Sequence, residues 1–156
     1  MVDIVSQAVR SRMMSGIRAK NTKPEMAIRR GLHALGFRFR IHENRLPGKP
    51  DLAFPKFKSV ILVHGCFWHG HQCHLFRWPK TREDFWRAKI ARNIVVDKSA
   101  LDALLNLDWR VAIVWECSLK GRAKLPIDAV LSRISNWLKS DEPFLEIEGD
   151  EARVLV

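Results

Sequence analysis

The chain has 156 residues, 47% of them hydrophobic, which suits a single domain with a buried core. No apolar run approaches the ~20 residues that a membrane-spanning helix needs, and the first residues lack the pattern of a secretory signal, so we expect an intracellular protein with no membrane partner. Residues 1–60 hold 13 Lys and Arg against 4 Asp and Glu and carry +9 of the net charge of +10, which favours a nucleic-acid partner.

The first 20 residues form a basic segment that contains a pair of methionines. It has too few apolar positions for a core element, so we predict an arm that contacts DNA. Its basic side chains would bind phosphates, and a methionine could wedge between base pairs. A frayed terminus is the alternative interpretation.

Thr22, Pro24 and Glu25 form a capping box at the start of the first predicted helix. The helix is predicted to run to about Leu35, with Gly36 as its stop. Its inward side chains are expected to be Met26, Leu32 and Leu35. Glu25 has a structural role in this cap, so its position in the sequence gives little reason by itself to expect a catalytic one.

The remaining elements predict one domain over residues 1–156. In chain order they are strands at 37–42, 51–54 and 59–64, a helix at 82–107 capped by Thr81, a strand at 110–117 and a helix at 126–140. The apolar strand 59–64 is typical of the middle of a sheet covered on both faces. Residues 141–156 form an acidic tail, and we expect its segment from Asp141 to Glu151 to be mobile. The predicted fold class is α/β or α+β, with helices flanking a central sheet.

Three cysteines and a cluster of histidines have the composition of a structural zinc site. The predicted ligands are Cys66, His71, Cys73 and Cys117. Three thiolates and one imidazole form a closed tetrahedral set that leaves no position for water. An odd number of cysteines argues against a disulfide framework. The spacing leaves His69 and His74 as rival imidazoles, and three unrelated cysteines are the alternative.

Asp51, which precedes the apolar strand 59–64, is half of a common nuclease pattern. In that pattern one strand delivers an Asp to a divalent cation and the next strand carries Glu-x-Lys, which is absent here. The backbone carbonyl of Val63 could replace the missing ligand, and His64 or His69 could activate water in place of the lysine. The alternative is an Asp51 that ends a turn, beside histidines that are hydrogen-bonded for structural reasons.

Phe67 and Trp68 lie between two potential zinc ligands, and Trp86 lies in the first turns of the long predicted helix. Exposed aromatic side chains beside a basic surface are what stacking on bases or intercalation requires. Packing in the core is the alternative, and it applies to Trp86 more than to the other two.

Three longer stretches carry a resemblance to a known family. They are residues 12–25 (RMMSGIRAKNTKPE), 46–51 (LPGKPD) and 63–71 (VHGCFWHGH). Through them the sequence closely resembles the very short patch repair (Vsr) DNA mismatch endonucleases over roughly residues 3–140. The resemblance implies a restriction-endonuclease-like fold and a Mg²⁺-dependent nick in double-stranded DNA. The nick falls on the 5′ side of the thymine of a T:G mismatch, the product of 5-methylcytosine deamination.

The resemblance also implies roles for individual residues. Asp51 resembles the Mg²⁺-binding carboxylate, Val63 the residue that lends its carbonyl, and His69 the general base. His64 and Glu25 resemble assisting catalytic groups. The implied zinc ligands are Cys66, His71, Cys73 and Cys117, so His71 is favoured over His69. The implied DNA wedge consists of Phe67, Trp68 and Trp86, with Met14 entering from the opposite groove.

We therefore interpret the chain as a monomeric nicking endonuclease of bacterial type, cytoplasmic and nucleoid-associated, with a mismatch-repair protein as a candidate partner. Two alternatives stay open. One is another nuclease of the same fold, such as a restriction enzyme or a junction resolvase. The other is a non-catalytic, zinc-stabilised DNA-binding protein, which the missing second carboxylate favours.

Overall fold

The computed structural model describes residues 21–153, so the basic arm 1–20, which includes Met14, lies outside the described residues. The helices of the described part are Lys23–Ala34 (α1), Glu83–Asn106 (α2) and Ile127–Leu138 (α3). Its strands are Arg40–Ile41 (β1), Leu52–Phe54 (β2), Ser59–His64 (β3), Arg110–Trp115 (β4) and Phe144–Ile147 (β5). None of the described helices is both long and apolar enough to span a membrane.

The five strands form one mixed sheet in the order β1-β2-β3-β4-β5. The pairs β1–β2 and β2–β3 are antiparallel, whereas β3–β4 and β4–β5 are parallel. Because parallel neighbours need a crossover connection, α2 lies between β3 and β4 in the chain and α3 lies between β4 and β5. The predicted mixed α/β architecture is thus confirmed.

Apolar side chains of β3 and β4 alternate between the two faces of the sheet, as the pleat requires. Ile61 and Val114 belong to a buried cluster that includes Ile28 of α1 and several residues of α3. Val60 belongs to the opposite cluster, together with Leu104 of α2. Both faces of the central strands are therefore covered, which agrees with the prediction from the unbroken apolar run at 59–64.

Thr22 caps α1 as predicted, but the side chain of Glu25 accepts the backbone N–H of Asn21 rather than that of Thr22, so the reciprocal half of the capping box is not formed. The backbone N–H of Glu25 donates to Thr22 Oγ1 at 3.3 Å. The inner face of the helix also differs from the prediction. Ile28 and Leu32, one helical turn apart, are fully buried, whereas Leu35 is 57% exposed. The prediction that Leu35 faces inward was wrong because the helix ends at Ala34 and Leu35 is its C-cap residue.

The acidic tail is part of the fold over much of its length. Its Phe144–Ile147 segment forms β5, which pairs with β4, and Ile147 is fully buried. The expectation of a mobile tail was therefore wrong for this segment. Thr81 also does not cap α2, which begins at Glu83 after Arg82 and has no side-chain cap within the described residues.

Candidate active site and metal centre

An open cleft of about 1760 Å³ lies at the edge of the sheet where β3 ends. Because β2 runs antiparallel to β3, the residue before β2 lies beside the last residues of β3. Asp51 therefore meets Val63, whose backbone N–H donates to Asp51 Oδ2 at 2.7 Å. The other predicted site residues that line this cleft are Glu25, His64, Phe67, Trp68 and His69.

Glu25 and Asp51 form a pair of neighbouring carboxylates at this cleft. Glu25 is 2% exposed. Its Oε1 accepts the backbone N–H of Asn21 at 3.2 Å, and its Oε2 accepts Arg29 Nη1 at 3.3 Å. Burial raises the pKa of Asp51 to about 6. The charge of Glu25 adds to this rise, and the hydrogen bond from the backbone N–H of Val63 opposes it. A cation can neutralise two neighbouring carboxylates placed in this way.

His42 joins these carboxylates, and the sequence analysis missed it. Its Nε2 lies 2.9 Å from Glu25 Oε2. One ligand atom from each of Glu25, His42 and Asp51 lies within 4.8 Å of the other two. A signal was present in the strand pattern, because pairing the strands predicted at 37–42 and 51–54 places His42 opposite Asp51. The backbone N–H of His42 donates to Asp51 O at 3.0 Å.

His64 and His69 form a stacked pair, with ring centroids 3.8 Å apart and an interplanar angle of 5°. Burial, with a smaller contribution from His69, lowers the pKa of His64 well below its usual value and keeps its ring neutral. His64 Nδ1 is buried and has no hydrogen-bond partner within the described part of the chain. His69 Nδ1 lies 2.6 Å from Asp97 Oδ2, so the two side chains form an imidazole–carboxylate pair.

Asp97 is a second functional candidate that the sequence analysis missed. It lies on α2, one turn after Asn93, whose Nδ2 donates to the backbone carbonyl of Trp68 at 2.8 Å. Both residues are half-buried and line the cleft. Two polar residues spaced by four on the inner side of a helix were the available signal, because such positions meet the same neighbouring segment.

The four predicted zinc ligands come together on the other side of the segment that follows β3. Ligand atoms of Cys66, His71, Cys73 and Cys117 all lie within 4.8 Å of one another. His71 Nδ1 lies 3.5 Å from Cys66 Sγ and 3.6 Å from Cys117 Sγ. Tetrahedral coordination with bonds of about 2.3 Å to sulfur and about 2.1 Å to nitrogen separates these atoms by about 3.6 Å. The donor set and its spacing therefore fit a tetrahedral metal ion.

Two thiols of this cluster differ in pKa: that of Cys117 is lowered and that of Cys66 is raised. A hydrogen bond from Cys66 lowers the pKa of Cys117 to about 6. The backbone N–H of Gly149 also lowers this pKa, whereas burial opposes the change. The hydrogen bond between the two thiols, together with burial, raises the pKa of Cys66. Gly149 N lies 3.2 Å from Cys117 Sγ. Cys117 is thus the thiolate most readily available to a metal, since the metal-bound form of cysteine is deprotonated.

The segment that follows β5 crosses the Cys/His cluster and is referred to below as the C-terminal strap, residues 148–151. Glu148 Oε2 accepts His71 Nε2 at 2.8 Å, and Glu151 Oε1 lies 3.0 Å from His74 Nδ1. A side chain at Gly149 would lie 2.4 Å from the backbone oxygen of Cys117, so glycine is required for this close approach. The three histidines therefore have separate surroundings: His71 faces the thiols, His69 faces Asp97 and His74 faces the strap.

The three predicted wedge residues form one aromatic cluster beside the cleft. The ring centroid of Phe67 lies 5.2 Å from that of Trp68 and 5.4 Å from that of Trp86. Trp68 and Trp86 are 5.6 Å apart, and all three side chains are half-buried. Each ring thus keeps part of its surface available, while the cluster fixes its orientation. Met14, the fourth predicted wedge residue, lies outside the described residues.

Comparison with known proteins identifies the family. The chain is 39% identical over 155 residues to the DNA mismatch endonuclease Vsr of Escherichia coli strain K12, and the match covers 99% of both chains. This chain belongs to the Vsr family. The resemblance inferred from the three sequence stretches is thereby confirmed. The family model described as DNA mismatch endonuclease Vsr matches residues 2–75.

Two nicking enzymes also show substantial identity to this chain. Type II nicking enzyme V.XorIIP of Xanthomonas oryzae pv. oryzae is 48% identical over 138 residues, which cover 88% of this chain and 98% of that protein. Type II nicking enzyme V.NmeAIP of Neisseria meningitidis serogroup A is 42% identical over 123 residues, which cover 79% of this chain and 88% of that protein.

Proposed function

We propose that this Vsr-family protein is a Mg²⁺-dependent endonuclease that nicks double-stranded DNA on the 5′ side of the thymine in a T:G mismatch. Such mismatches arise from 5-methylcytosine deamination, and the nick would initiate very short patch repair. The observation that carries the proposal is that Asp51, Val63 and the His69–Asp97 pair line the same cleft, beside the aromatic surface of Phe67 and Trp68. The proposal includes a restriction-endonuclease-like fold, which the antiparallel β2–β3 hairpin behind Asp51 supports.

Asp51 and the backbone carbonyl of Val63 are the proposed Mg²⁺ ligands. Both supply the oxygen donors that this ion prefers, and the hydrogen bond between Val63 N–H and Asp51 Oδ2 keeps the two residues together. Bound Mg²⁺ would polarise the scissile phosphate and stabilise the leaving oxygen. Glu25, adjacent to Asp51 and held by Arg29, is proposed to assist at this site.

His69 is the proposed general base. Because the carboxylate of Asp97 accepts the proton at Nδ1, the lone pair of His69 is directed to Nε2, which can take a proton from the attacking water. The oxygen of that water then forms the new bond to phosphorus as the bridging ester oxygen leaves. His64 is proposed to assist, since its neutral ring stacks on His69 and restricts the orientation of the base.

DNA would be held by charge and opened by the aromatic cluster. Lysines that line the cleft supply phosphate contacts, which position DNA without reading its sequence. They are Lys23, Lys49, Lys120 and Lys124. The wedge of Phe67, Trp68 and Trp86, with Met14 from the opposite groove, would then enter the base stack beside the mismatch. Unstacking is least costly where pairing is already weak, which favours a T:G pair over its matched equivalents.

Zn²⁺ is the proposed occupant of the Cys66, His71, Cys73 and Cys117 cluster. Three sulfur donors and one nitrogen donor in a closed tetrahedral set are typical of structural zinc sites. Such a site would connect the segment that carries His69 and Trp68 to the end of β4, because Cys117 is the second residue after that strand. The zinc would thereby fix the position of the base relative to the wedge, while the reaction itself stays at Asp51.

Glu148→Gln is expected to weaken Zn²⁺ binding about tenfold. Glu148 accepts the Nε2–H of His71, and a carboxylate in this position orients a metal-bound imidazole and raises its basicity, a contribution worth roughly 10–100-fold in affinity. The lower end is expected because the Glu148 side chain is 60% exposed. The measurement is a competition titration of Zn²⁺ against a chromogenic chelator.

Glu142→Gln is the matched control for this variant, because Glu142 is also exposed and acidic but lies before β5, outside the C-terminal strap. Its Zn²⁺ affinity should equal that of the unaltered protein. Equal affinities in both variants would show that Glu148 does not support the metal centre.

A panel of duplexes with one common sequence tests the proposed function. In Mg²⁺ the protein should nick the T:G duplex at least about 100-fold faster than the C:G and T:A duplexes, a ratio that corresponds to roughly 2.7 kcal/mol of discrimination. Cutting of only a four-way junction or a palindromic site would favour another nuclease of this fold. Binding without any cleavage would favour a non-catalytic DNA-binding protein.

Four further expectations accompany this proposal and stay predictions. They are a monomeric state, a nucleoid-associated location, a mismatch-repair protein as partner, and one functional domain that includes the arm 1–20.

A further inference from the structure

We propose that His42 is a metal ligand, and that Glu25, His42 and Asp51 together form a divalent cation site with one nitrogen and two carboxylate donors. The inference rests on the proposed function, because Asp51 is the metal-binding carboxylate in both. It adds a ligand that the nuclease pattern in the sequence does not contain, and it changes the expected preference of the site among metal ions.

The distances around His42 match those of neighbouring ligands on one ion. Octahedral coordination with bonds of about 2.1 Å separates adjacent donor atoms by about 3.0 Å. His42 Nε2 and Glu25 Oε2 are 2.9 Å apart, and the ligand atoms of all three residues lie within 4.8 Å of one another. A cation at the centre of the three would replace the direct hydrogen bond between His42 and Glu25.

Burial and charge make the same region favourable for a cation. The side chain of Glu25 is 3% exposed and that of His42 is 13% exposed. Arg29 lies 3.3 Å from Glu25 and compensates one of the two neighbouring carboxylates. Asp51 has its hydrogen bond from the backbone N–H of Val63, which is a neutral donor. A divalent ion would supply the charge that two neighbouring carboxylates, one buried and one half-buried, require.

The backbone of His42 holds its ring in place by an uncommon conformation. Its φ of +48° lies in the left-handed region, which non-glycine residues rarely adopt and which occurs often at functional sites. The backbone N–H groups of His42 and Glu43 donate to the carbonyl oxygens of Asp51 and Pro50 at 3.0 and 3.1 Å. The residue is therefore tied to the chain segment that presents Asp51, and the imidazole is directed at Glu25.

A nitrogen ligand changes which ions the site prefers. Mg²⁺ favours all-oxygen surroundings, whereas imidazole is a better donor to later transition metals, and affinity rises along the series that begins with Mn²⁺. The site should accordingly bind Mn²⁺ more tightly than Mg²⁺ and still accept Mg²⁺ at the higher concentration of that ion.

Pulsed EPR of Mn²⁺ added to the zinc-saturated protein tests the assignment directly. The expected signal is a ¹⁴N modulation from one directly bound imidazole, and its frequencies should change when the protein is prepared with ¹⁵N-labelled histidine. This measurement needs no variant, DNA or turnover. Absence of bound Mn²⁺, or bound Mn²⁺ without nitrogen coupling, would overturn the proposal.

Two matched histidine variants identify the ligand. His42→Gln should lose the ¹⁴N modulation and bind Mn²⁺ at least about tenfold more weakly, as is usual when a ligand or its support is removed. His69→Gln should keep both the modulation and the Mn²⁺ affinity, because His69 is directed at Asp97. Modulation that persists in His42→Gln, or disappears only in His69→Gln, would assign the nitrogen to another residue.

The duplex panel separates failure of this inference from failure of the proposed function. If the protein nicks the T:G duplex specifically but its bound Mn²⁺ shows no nitrogen coupling, the proposed function stands and His42 is not a metal ligand. Nitrogen-coupled Mn²⁺ in a protein that never nicks DNA would leave the metal site intact and contradict the proposed function.

Discussion

Asp51→Ala is expected to reduce nicking of a T:G duplex by at least about a thousandfold while leaving binding to that duplex nearly unchanged. Loss of the metal-binding carboxylate removes several kcal/mol of charge stabilisation in the transition state, and each 1.36 kcal/mol corresponds to a factor of about ten in rate. Binding should persist because phosphate contacts and aromatic stacking involve other residues. Single-turnover cleavage and a gel-shift titration measure the two effects separately.

Asp102→Ala provides the control for the Asp51 variant, since Asp102 is an exposed acid on α2 whose partner is Lys98. It should nick like the unaltered protein. The Asp51 variant should also stay folded. The pKa of Asp51 is raised in the folded state from its ordinary value of 3.8 to about 6, so its ionisation weakens the metal-free fold increasingly between these two pH values and by a constant amount above them. Nicking at the normal rate by the Asp51 variant in Mg²⁺ would contradict the assignment.

Cys117→Ser is expected to abolish stoichiometric zinc and to lower the melting temperature by about 10 °C or more. Structural zinc contributes about 10–16 kcal/mol of apparent binding energy in small zinc domains, and in a domain of this size each lost kcal/mol lowers the melting temperature by roughly 2–4 °C. The hydrophobic core on both faces of the sheet should keep the variant folded at low temperature. Metal analysis and thermal unfolding are the measurements.

A chelator supplies the control for Cys117→Ser. Removing zinc from the unaltered protein should lower its melting temperature by a similar amount, and the same treatment should leave the variant unchanged. One zinc per chain in Cys117→Ser would show that Cys117 is not a ligand of the metal centre. A full loss of zinc with no change in melting temperature would show that the metal does not stabilise the fold.

The central strands and the local motifs could be predicted from the sequence because their signals are local. An unbroken apolar run marks β3, and the spacing of Cys66, His71 and Cys73 is readable within eight residues. β5 gave the opposite signal, since its one glutamate and the acidic residues around it indicated a mobile tail. Its position beside β4 depends on a backbone pairing that charge composition does not reveal.

The residues missed at the candidate site are those whose partners lie far away in the sequence. His42 is 17 positions from Glu25, and Asp97 is 28 positions from His69. Each acquires its partner only when a strand pair or a long helix packs against the cleft. The sequence therefore identified the residues that the proposed chemistry requires by type, while the groups that orient them became visible only in the folded chain.

A strand-resolved nicking assay tests the central claim most directly. One duplex with a single T:G mismatch, labelled on each strand in turn, is incubated with the protein in Mg²⁺ and in EDTA beside its C:G equivalent. We predict one nick, on the thymine-containing strand and immediately 5′ to the mismatched thymine, in Mg²⁺ only. Cleavage of both strands, equal cleavage of the matched duplex, or a nick that persists in EDTA would contradict the account.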